Sequence, residues 1–293
     1  MVDYLTTREV AALLRVKERK VYELVADRAI PASRVTGKLL FPRDLIEGWV
    51  RRHIDYRGDV ESLRAYPPVV AGSHDPLLDW AVRESGCGLA MYFDGSLDGL
   101  ARLRAGEALV AGMHMLEPET GDFNRAHVER DLGGQSAVLV EWAWRTQGLV
   151  VPRGNPRRIA GVGDLRGLRV IPRQVGAGSH ALLHHLLAES GMADGAARLL
   201  DPPARTEADV ALAVADGRAD AGLAVESVAR QHRLDFVPLF RERYDLLAWR
   251  REYFEPPLQK LLAITRTARF RERAESFGGY DVSGLGTVRW NGR

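Results

Sequence analysis

Cysteine is nearly absent from this sequence. Cys87 is the only one in 293 residues, so no disulfide can close within the chain. That usage fits a reducing cytosol, and with no Cys–His signature around it Cys87 is expected as a small buried hydrophobe. No apolar run approaches the ~18 residues that span a bilayer, and "MVDYLTTREV" lacks the basic and apolar regions of a signal peptide. These absences predict a cytoplasmic chain without membrane contact. No Gly-Lys-Ser/Thr completes a nucleoside-triphosphate loop, and no nucleophile–base–acid order is discernible, so a non-enzymatic role is expected.

What is present is an ordinary globular balance, 46% apolar and 27% charged, in a chain long enough for more than one core. The net charge of +2 hides an asymmetry: residues 1–52 hold eleven Lys/Arg against seven Asp/Glu, and the other 241 hold thirty against thirty-two. A basic head on a slightly acidic body puts any polyanion at the N-terminus.

In that head, Thr6-Thr7 and Arg8-Glu9 suit a helix start, and Val10, Leu13 and Leu14 follow at helical spacing. A second helix carries Val21, Leu24 and Val25 on one face, with Arg15, Lys17, Arg19 and Lys20 in the turn and at its start. Two short helices so joined have helix-turn-helix geometry, in which the start of the second enters the major groove. Thr36-Gly37 can form a hairpin turn, and a third helix has Pro42 in its first turn and Leu45, Ile46 and Trp49 inward. "LTTREVAALL", "VYELV" and "IPASRVTGKLLFPRDLIEGW" resemble, in order over residues 4–50, the excisionase-type winged helix-turn-helix, a relative of the MerR DNA-binding domain. The DNA reading assigns Arg8, Lys17, Arg19, Lys20 and Tyr22 to the groove or adjacent phosphates, and Arg34 and Lys38 to a wing. Lys17-Glu18 departs from the family, which has small hydroxyl residues there. One module makes few phosphate contacts, so a homodimer on double-stranded DNA is expected. The domains are then 1–52, a polar linker 53–68, and a body 69–293.

Through the body, strands and helices alternate: "PVVAGS", helix 75–84, "GLAMYF", "SLDGLARLRAG", "ALVAGMHM". After the extended "SAVLVEWAWRTQGLVVPRGN" comes a second run: "LRVIPR", helices 180–190 and 207–217, "DAGLAV", helix 226–232 and "FVPLF". "YDLLAWR" is extended again, and residues 254–276 read as helical. The class is α/β: two groups joined by two extended crossings, a two-lobed hinge protein with a cleft. Trp142 and Trp144 flank Ala143, which puts both indoles on one face of a strand. "AGSHDPLLD", "FDGSLDGLARLRAGEALVAGMHML", "GLVVPRGNP", "GVGDLRGLRVIPRQVGAGSHALL" and "VALAVADGRADAGLAV" resemble the type II periplasmic-binding-protein-like domain of molybdate- and tungstate-binding proteins. The combined resemblance implies a ligand-responsive transcription regulator with molybdate or tungstate as effector and no bound cofactor. A molybdenum-cofactor precursor or similar organic anion is the alternative effector.

The loop Gly176-Ala177-Gly178-Ser179-His180-Ala181 also fits the dinucleotide fingerprint G-x-G-x-x-A, with Asp201 about 20 residues on, so a Rossmann-type NAD-dependent oxidoreductase stays open. Against it, the preceding strand ends in Pro172-Arg173-Gln174 rather than an apolar run. Type II binding proteins hold tetrahedral oxyanions with neutral hydroxyls and helix N-terminal amides. The matching positions are Ser73, His74, Gly95 and Ser96 in one lobe, and Ala177, Gly178 and Ser179 in the other. For the serines the ordinary alternative is helix capping. Arg173, His114, Glu226 and Tyr244 could also reach the cleft. A bare Glu226 beside a dianion would be repulsive, so it either caps its own helix or calls for a larger ligand with donors. His180 and His184 have zinc-compatible spacing but no third ligand, and no metal is expected.

Overall fold

Thr6 and Glu9 exchange reciprocal bonds at the first helix start: the Glu9 amide donates to Thr6 Oγ1 at 3.3 Å and the Thr6 amide to Glu9 Oε2 at 2.7 Å. This computed structural model describes residues 3–35, 37–53, 66–192 and 195–292. The chain divides into two units, Met1–Ala65 and Tyr66–Arg293.

The first unit runs β1 (Tyr4–Leu5), α1 (Thr7–Leu14), α2 (Glu18–Ala26), β2 (Ser33–Val35), β3 (Lys38–Pro42) and α3 (Arg43–Arg52). Arg15 takes a left-handed conformation (φ 53°) that ends α1 and turns the chain toward α2. β3 lies between β1 and β2, and Val35 pairs with Lys38 where the two strands of the hairpin meet. Gly37 has φ +79° between them; Thr36 lies outside the described residues. Val10, Val21, Phe41 and Ile46 are fully buried, and Trp49 Nε1 donates to the Ala29 carbonyl at 2.6 Å. Leu45, expected inward, faces solvent, because Ile46 and Trp49 already fill the inner face at i, i+3 spacing. Residues 54–65 of the expected linker lie outside the described residues. Tyr66 stacks on Trp249, with ring centroids 5.0 Å apart, as part of the second unit.

The first half of the second unit comprises β4 (Val69–Gly72), α4 (Pro76–Ser85), β5 (Ala90–Phe93), α5 (Ser96–Ala105), β6 (Val110–Met113), β7 (Leu116–Glu117), β8 (Asp122–Phe123), α6 (Arg125–Leu132) and β9 (Ala137–Val151). Then follow β10 (Arg169–Ile171), α7 (Gly178–Glu189), β11 (Arg198–Leu199), α8 (Glu207–Ala215), β12 (Ala221–Val225), α9 (Glu226–Gln231) and β13 (Asp235–Trp249). The chain ends through α10 (Arg250–Tyr253), α11 (Pro256–Ile264), α12 (Ala268–Phe277), β14 (Tyr280–Asp281) and β15 (Val288–Asn291). "FVPLF" and "YDLLAWR" are therefore one strand rather than two. The expected helix 254–276 is two, because Thr267 caps a new start by accepting from the Phe270 amide. α6, β14 and β15 carried no strong periodicity and were not expected.

One sheet orders these strands β11-β10-β12-β9-β13-β6-β4-β5, with β14 and β15 also pairing with β9. β9 and β13, fifteen residues each, run antiparallel along their whole length. The second half of β9 pairs with β12, and the second half of β13 with β6. The two lobes thus share two strands of roughly 50 Å. Core clusters lie on both faces of each lobe, one pair around Leu77, Trp142, Phe270 and Leu103, Val128, Leu247, the other around Val210, Val225 and Leu149, Leu183.

Two bulges interrupt the shared strands. Leu239 is extra between Pro238–Gly148 and Phe240–Gln147, and Trp142 is extra between Tyr244–Ala143 and Asp245–Glu141. The second bulge breaks the alternation that puts both indoles on one face. Trp142 drops into the core edge-on to Phe270, while Trp144 stands against Phe123. Trp142→Ala should therefore cost ~3–5 kcal/mol in urea unfolding of the full chain. A loss below about 1 kcal/mol would mean that the bulge does not bury this side chain.

Candidate functional site

None of the three serines caps a helix. Asp75 caps α4, accepting from the Leu78 amide at 2.7 Å, while Gly95 and Ala177 occupy the cap positions of α5 and α7 and no side chain caps either. Ser73 Oγ lies 2.9 Å from Ser96 Oγ, which also accepts from the His114 amide at 3.2 Å. Ser179 Oγ is buried without a partner, in the first turn of a helix whose leading amides have no side-chain acceptor.

The lobes touch at this point. The Leu97 amide faces the Gly176 carbonyl at 3.4 Å, and Arg205 pairs with Asp94 at 2.7 Å. Gly95 (φ +108°) must be glycine, since a Cβ there would stand 2.9 Å from the Gly176 carbonyl oxygen. A Cβ on Gly178 would stand 2.7 Å from His114. Ser73, Gly95 and Ser96 of one lobe and Ala177, Gly178 and Ser179 of the other therefore border one place. His74 Nδ1 is buried there without a partner, its ring edge-on to Phe93.

Beneath the serines is a buried charge network, between the two bulges. Arg145 is fully buried opposite Glu242, bonding it through Nη2 and Asp75 Oδ2 through Nη1 at 2.9 Å. Asp75 also accepts from Trp142 Nε1 (3.1 Å) and the Tyr280 hydroxyl (2.7 Å). Glu242 bonds His114 Nδ1 (2.8 Å) and accepts from Gln147 Nε2 (3.0 Å), which also reaches Glu207 at 3.2 Å. The other Glu207 oxygen accepts from the Val225 amide. All six oxygens of these three carboxylates thus have partners, whereas Arg145 Nε and Gln147 Oε1 are buried without one. Burial alone would raise the Glu242 pKa, but Arg145 and His114 outweigh it and hold it at about 2. Burial would lower that of Arg145, but Glu242 and Asp75 hold it well above its ordinary value.

Three expected contacts are spent elsewhere. Tyr244 donates its hydroxyl to the Ser73 carbonyl and stacks against His114, so it supports the serine from behind. Arg173 is buried, its pKa lowered by desolvation, with its donors on Gln174 Oε1 and the carbonyls of Ala204 and Arg205, where it fastens a loop. Glu226 pairs with Arg230 one turn along α9 at 2.5 Å and lies against Gly279, so it calls for no larger ligand. The His180 and His184 rings lie 4.5 Å apart, tilted by 52°, and among the described residues no cluster of metal ligands occurs.

In the first unit Arg8, Lys17, Arg19, Lys20 and Tyr22 are exposed on α1 and the start of α2, and Arg34 and Lys38 on the hairpin. Arg19 and Lys20 both pair with Glu23, at 3.2 and 3.3 Å. These exposed pairs are worth little in water and leave both cations free to exchange Glu23 for phosphate.

The sequence profile of the PBP superfamily domain matches residues 79–266, and that of a helix-turn-helix domain of the excisionase-like kind matches residues 4–54. The chain belongs to the PBP superfamily. Its PBP domain follows a helix-turn-helix DNA-binding domain, and the chain is similar to YvgK of Bacillus subtilis (strain 168), 26% identical over 97% of this chain and 96% of that one. A Clostridium pasteurianum protein from the 5' region of a 2Fe-2S ferredoxin gene is 35% identical over 27% of this chain and 71% of its own. The P235GK mutant of the T. maritima protein ArgBP shares the two-lobed fold, with TM-score 0.50 and 16% identity over 75% of this chain and 97% of that one.

Asp75, Arg145, Gln147, Glu207, Glu242 and Tyr280 of this PBP domain escaped the sequence reading. Arg145 and Gln147, two apart in a mostly apolar strand, and Glu242 two before Tyr244 were the available signal: alternate residues share a face. Glu242→Gln removes one of the two carboxylates that offset the buried Arg145, together with the anionic partner of His114, so it should cost ~3 kcal/mol near neutral pH. Because the folded pKa is depressed from 4.5 to about 2, this carboxylate's contribution is present above 4.5 and disappears as pH falls toward 2. Urea titrations from pH 7 to 2 should show wild type and variant converging; a constant gap would remove Glu242 from the acid response.

Proposed function

We propose that this chain is a cytoplasmic, non-enzymatic, ligand-responsive transcription regulator whose PBP domain closes on a small oxyanion, molybdate or tungstate. One observation carries the reading. Ser96 and Ser179 in the first turns of α5 and α7 and Ser73 just ahead of α4, none of them a cap, border one place between the lobes, and the Oγ of Ser179 there lacks a partner. The oxygens of Asp75, Glu207 and Glu242 are occupied and Asp94 is paired with Arg205, which leaves hydroxyls and helix amides to donate to an oxygen-rich dianion. Support for a small ligand comes from the loop itself. The start of α5 packs on the Gly176 carbonyl, which favours a small ligand at this seam over a dinucleotide.

The head binds double-stranded DNA through α2 and the hairpin wing, as a homodimer, because one module supplies few phosphate contacts. Ligand and DNA affinity are coupled to the extent that the closed and open lobes favour different placements of the two heads.

Isothermal titration with molybdate, tungstate, sulfate and NAD tests the effector. Binding of a metal oxyanion and none of NAD is expected; NAD binding with silence toward the oxyanions overturns the reading. Ser179→Asp places a negative charge at the helix start and should abolish oxyanion binding, while unaltered affinity would move the site elsewhere. For the head, Arg19→Ala with Lys20→Ala should lower the slope of log K against log salt by about 1–2. An unchanged slope would return both residues to solvent.

A further inference from the structure

On the first lobe, away from the serines, α11, α12 and the loop 280–286 enclose a half-open cavity of about 660 Å³. That is the size of a site for a small organic molecule. Its apolar wall includes the half-buried Tyr253, Val282 and Leu285, and Arg266 and Arg271 also line it. Both arginines are exposed, and among the described residues neither forms an ion pair. Their neighbours differ: Arg269 is paired with Glu84 at 2.7 Å, and Arg273 lies over the Phe277 ring. Of the acids lining the cavity, Asp281 is held by Arg241 at 3.2 Å and by the Ser283 amide. Glu275 remains, one carboxylate against two free guanidinium groups.

We propose that this cavity is a second ligand site, taking an organic anion with an aromatic or branched apolar body whose acid group is held by Arg266 and Arg271. Guanidinium forks suit carboxylate, sulfonate and phosphate alike, and the apolar wall selects against bare inorganic ions. The site bears on the interior of the lobe. Tyr280 forms part of its wall, and the Tyr280 hydroxyl holds Asp75, the partner of Arg145. This inference is independent of what the lobes close upon.

Two fluorescent probes separate charge from grease. 1-Anilinonaphthalene-8-sulfonate carries the aromatic body and an acid group; N-phenyl-1-naphthylamine carries the body alone. On the full chain the sulfonate should bind saturably at one site, at least tenfold more tightly than the amine. Arg266→Glu with Arg271→Glu, at exposed positions outside the core, should weaken the sulfonate at least tenfold and leave the amine unchanged. Ser283→Trp, at the exposed rim, should weaken both. No saturable sulfonate site, equal affinity for the two probes, or an unaltered sulfonate affinity in the double variant would each overturn the proposal.

Discussion

A guanidinium removed from water has to be neutralised where it stands, and in this fold that obligation falls on Arg145. Its charge is offset by Asp75 and Glu242, one at the start of α4 and one on the facing strand. Each partner does something else as well. Asp75 fixes the first turn of α4 two residues beyond Ser73, and Glu242 fixes the imidazole of His114, whose amide donates to Ser96. The positions of both serines therefore follow from the placement of one buried cation. Desolvating three charges together is expensive, and hydrophobic packing of equal volume would stabilise such a centre at least as well. What the ionic arrangement adds is direction, since a bonded carboxylate has few acceptable orientations and a leucine has many.

The network also straddles the shared strands. Gln147 spans Glu242 and Glu207, and Glu207 opens α8 in the second lobe, so the bonds run from Asp75 of the first lobe across β9 and β13 into the second. The two bulges bracket the segment 143–147 and 240–244 that carries it. Extra residues increase local twist and bend, and these lie where two lobes on a common pair of strands have to change their relative angle. Hinge and charge centre occupy the same few residues, so a lobe movement disturbs the hydrogen bonds that hold the serines.

Much of this architecture was legible. The alternation of apolar strands with helices indicated the α/β class, and two short amphipathic helices with cations leading the second, together with the excisionase resemblance over residues 4–50, indicated the helix-turn-helix. The long crossings were visible as extended runs, but their union was not. Pro238 and the charged "RERYD" interrupt apolar patterning that is actually continuous strand, because both faces of β13 change surroundings between lobes. Of the three serines expected as donors to one anion, Ser73 and Ser96 lie 2.9 Å apart and Ser179 Oγ has no partner, whereas Glu226 and Tyr244 do not present free groups. Their partners, Arg230 one turn along and the Ser73 carbonyl 171 positions away in sequence, differ in how visible they were. An i, i+4 pair can be counted from the sequence; a bond across the sheet cannot.

The glycine loop illustrates how one spelling serves two physical demands. In a phosphate-binding loop, glycine lets backbone approach the ligand. Here Gly176 supplies a positive φ of 91° with open space around its missing side chain, an ordinary requirement of a tight turn. Gly178 and the distant Gly95 answer a different need, for each lies where a methyl group would strike the opposite lobe. Their smallness is clearance for closure: backbone carbonyl against backbone, helix start against imidazole. Larger residues at these two points would hold the lobes apart by the width of a side chain and admit water between the serines, where every polar contact would weaken. The spacing G-x-G is therefore compatible with a nucleotide cradle in sequence and with a dry interlobe seam in space. Only the contact partners, His114 and the Gly176 carbonyl, distinguish the two.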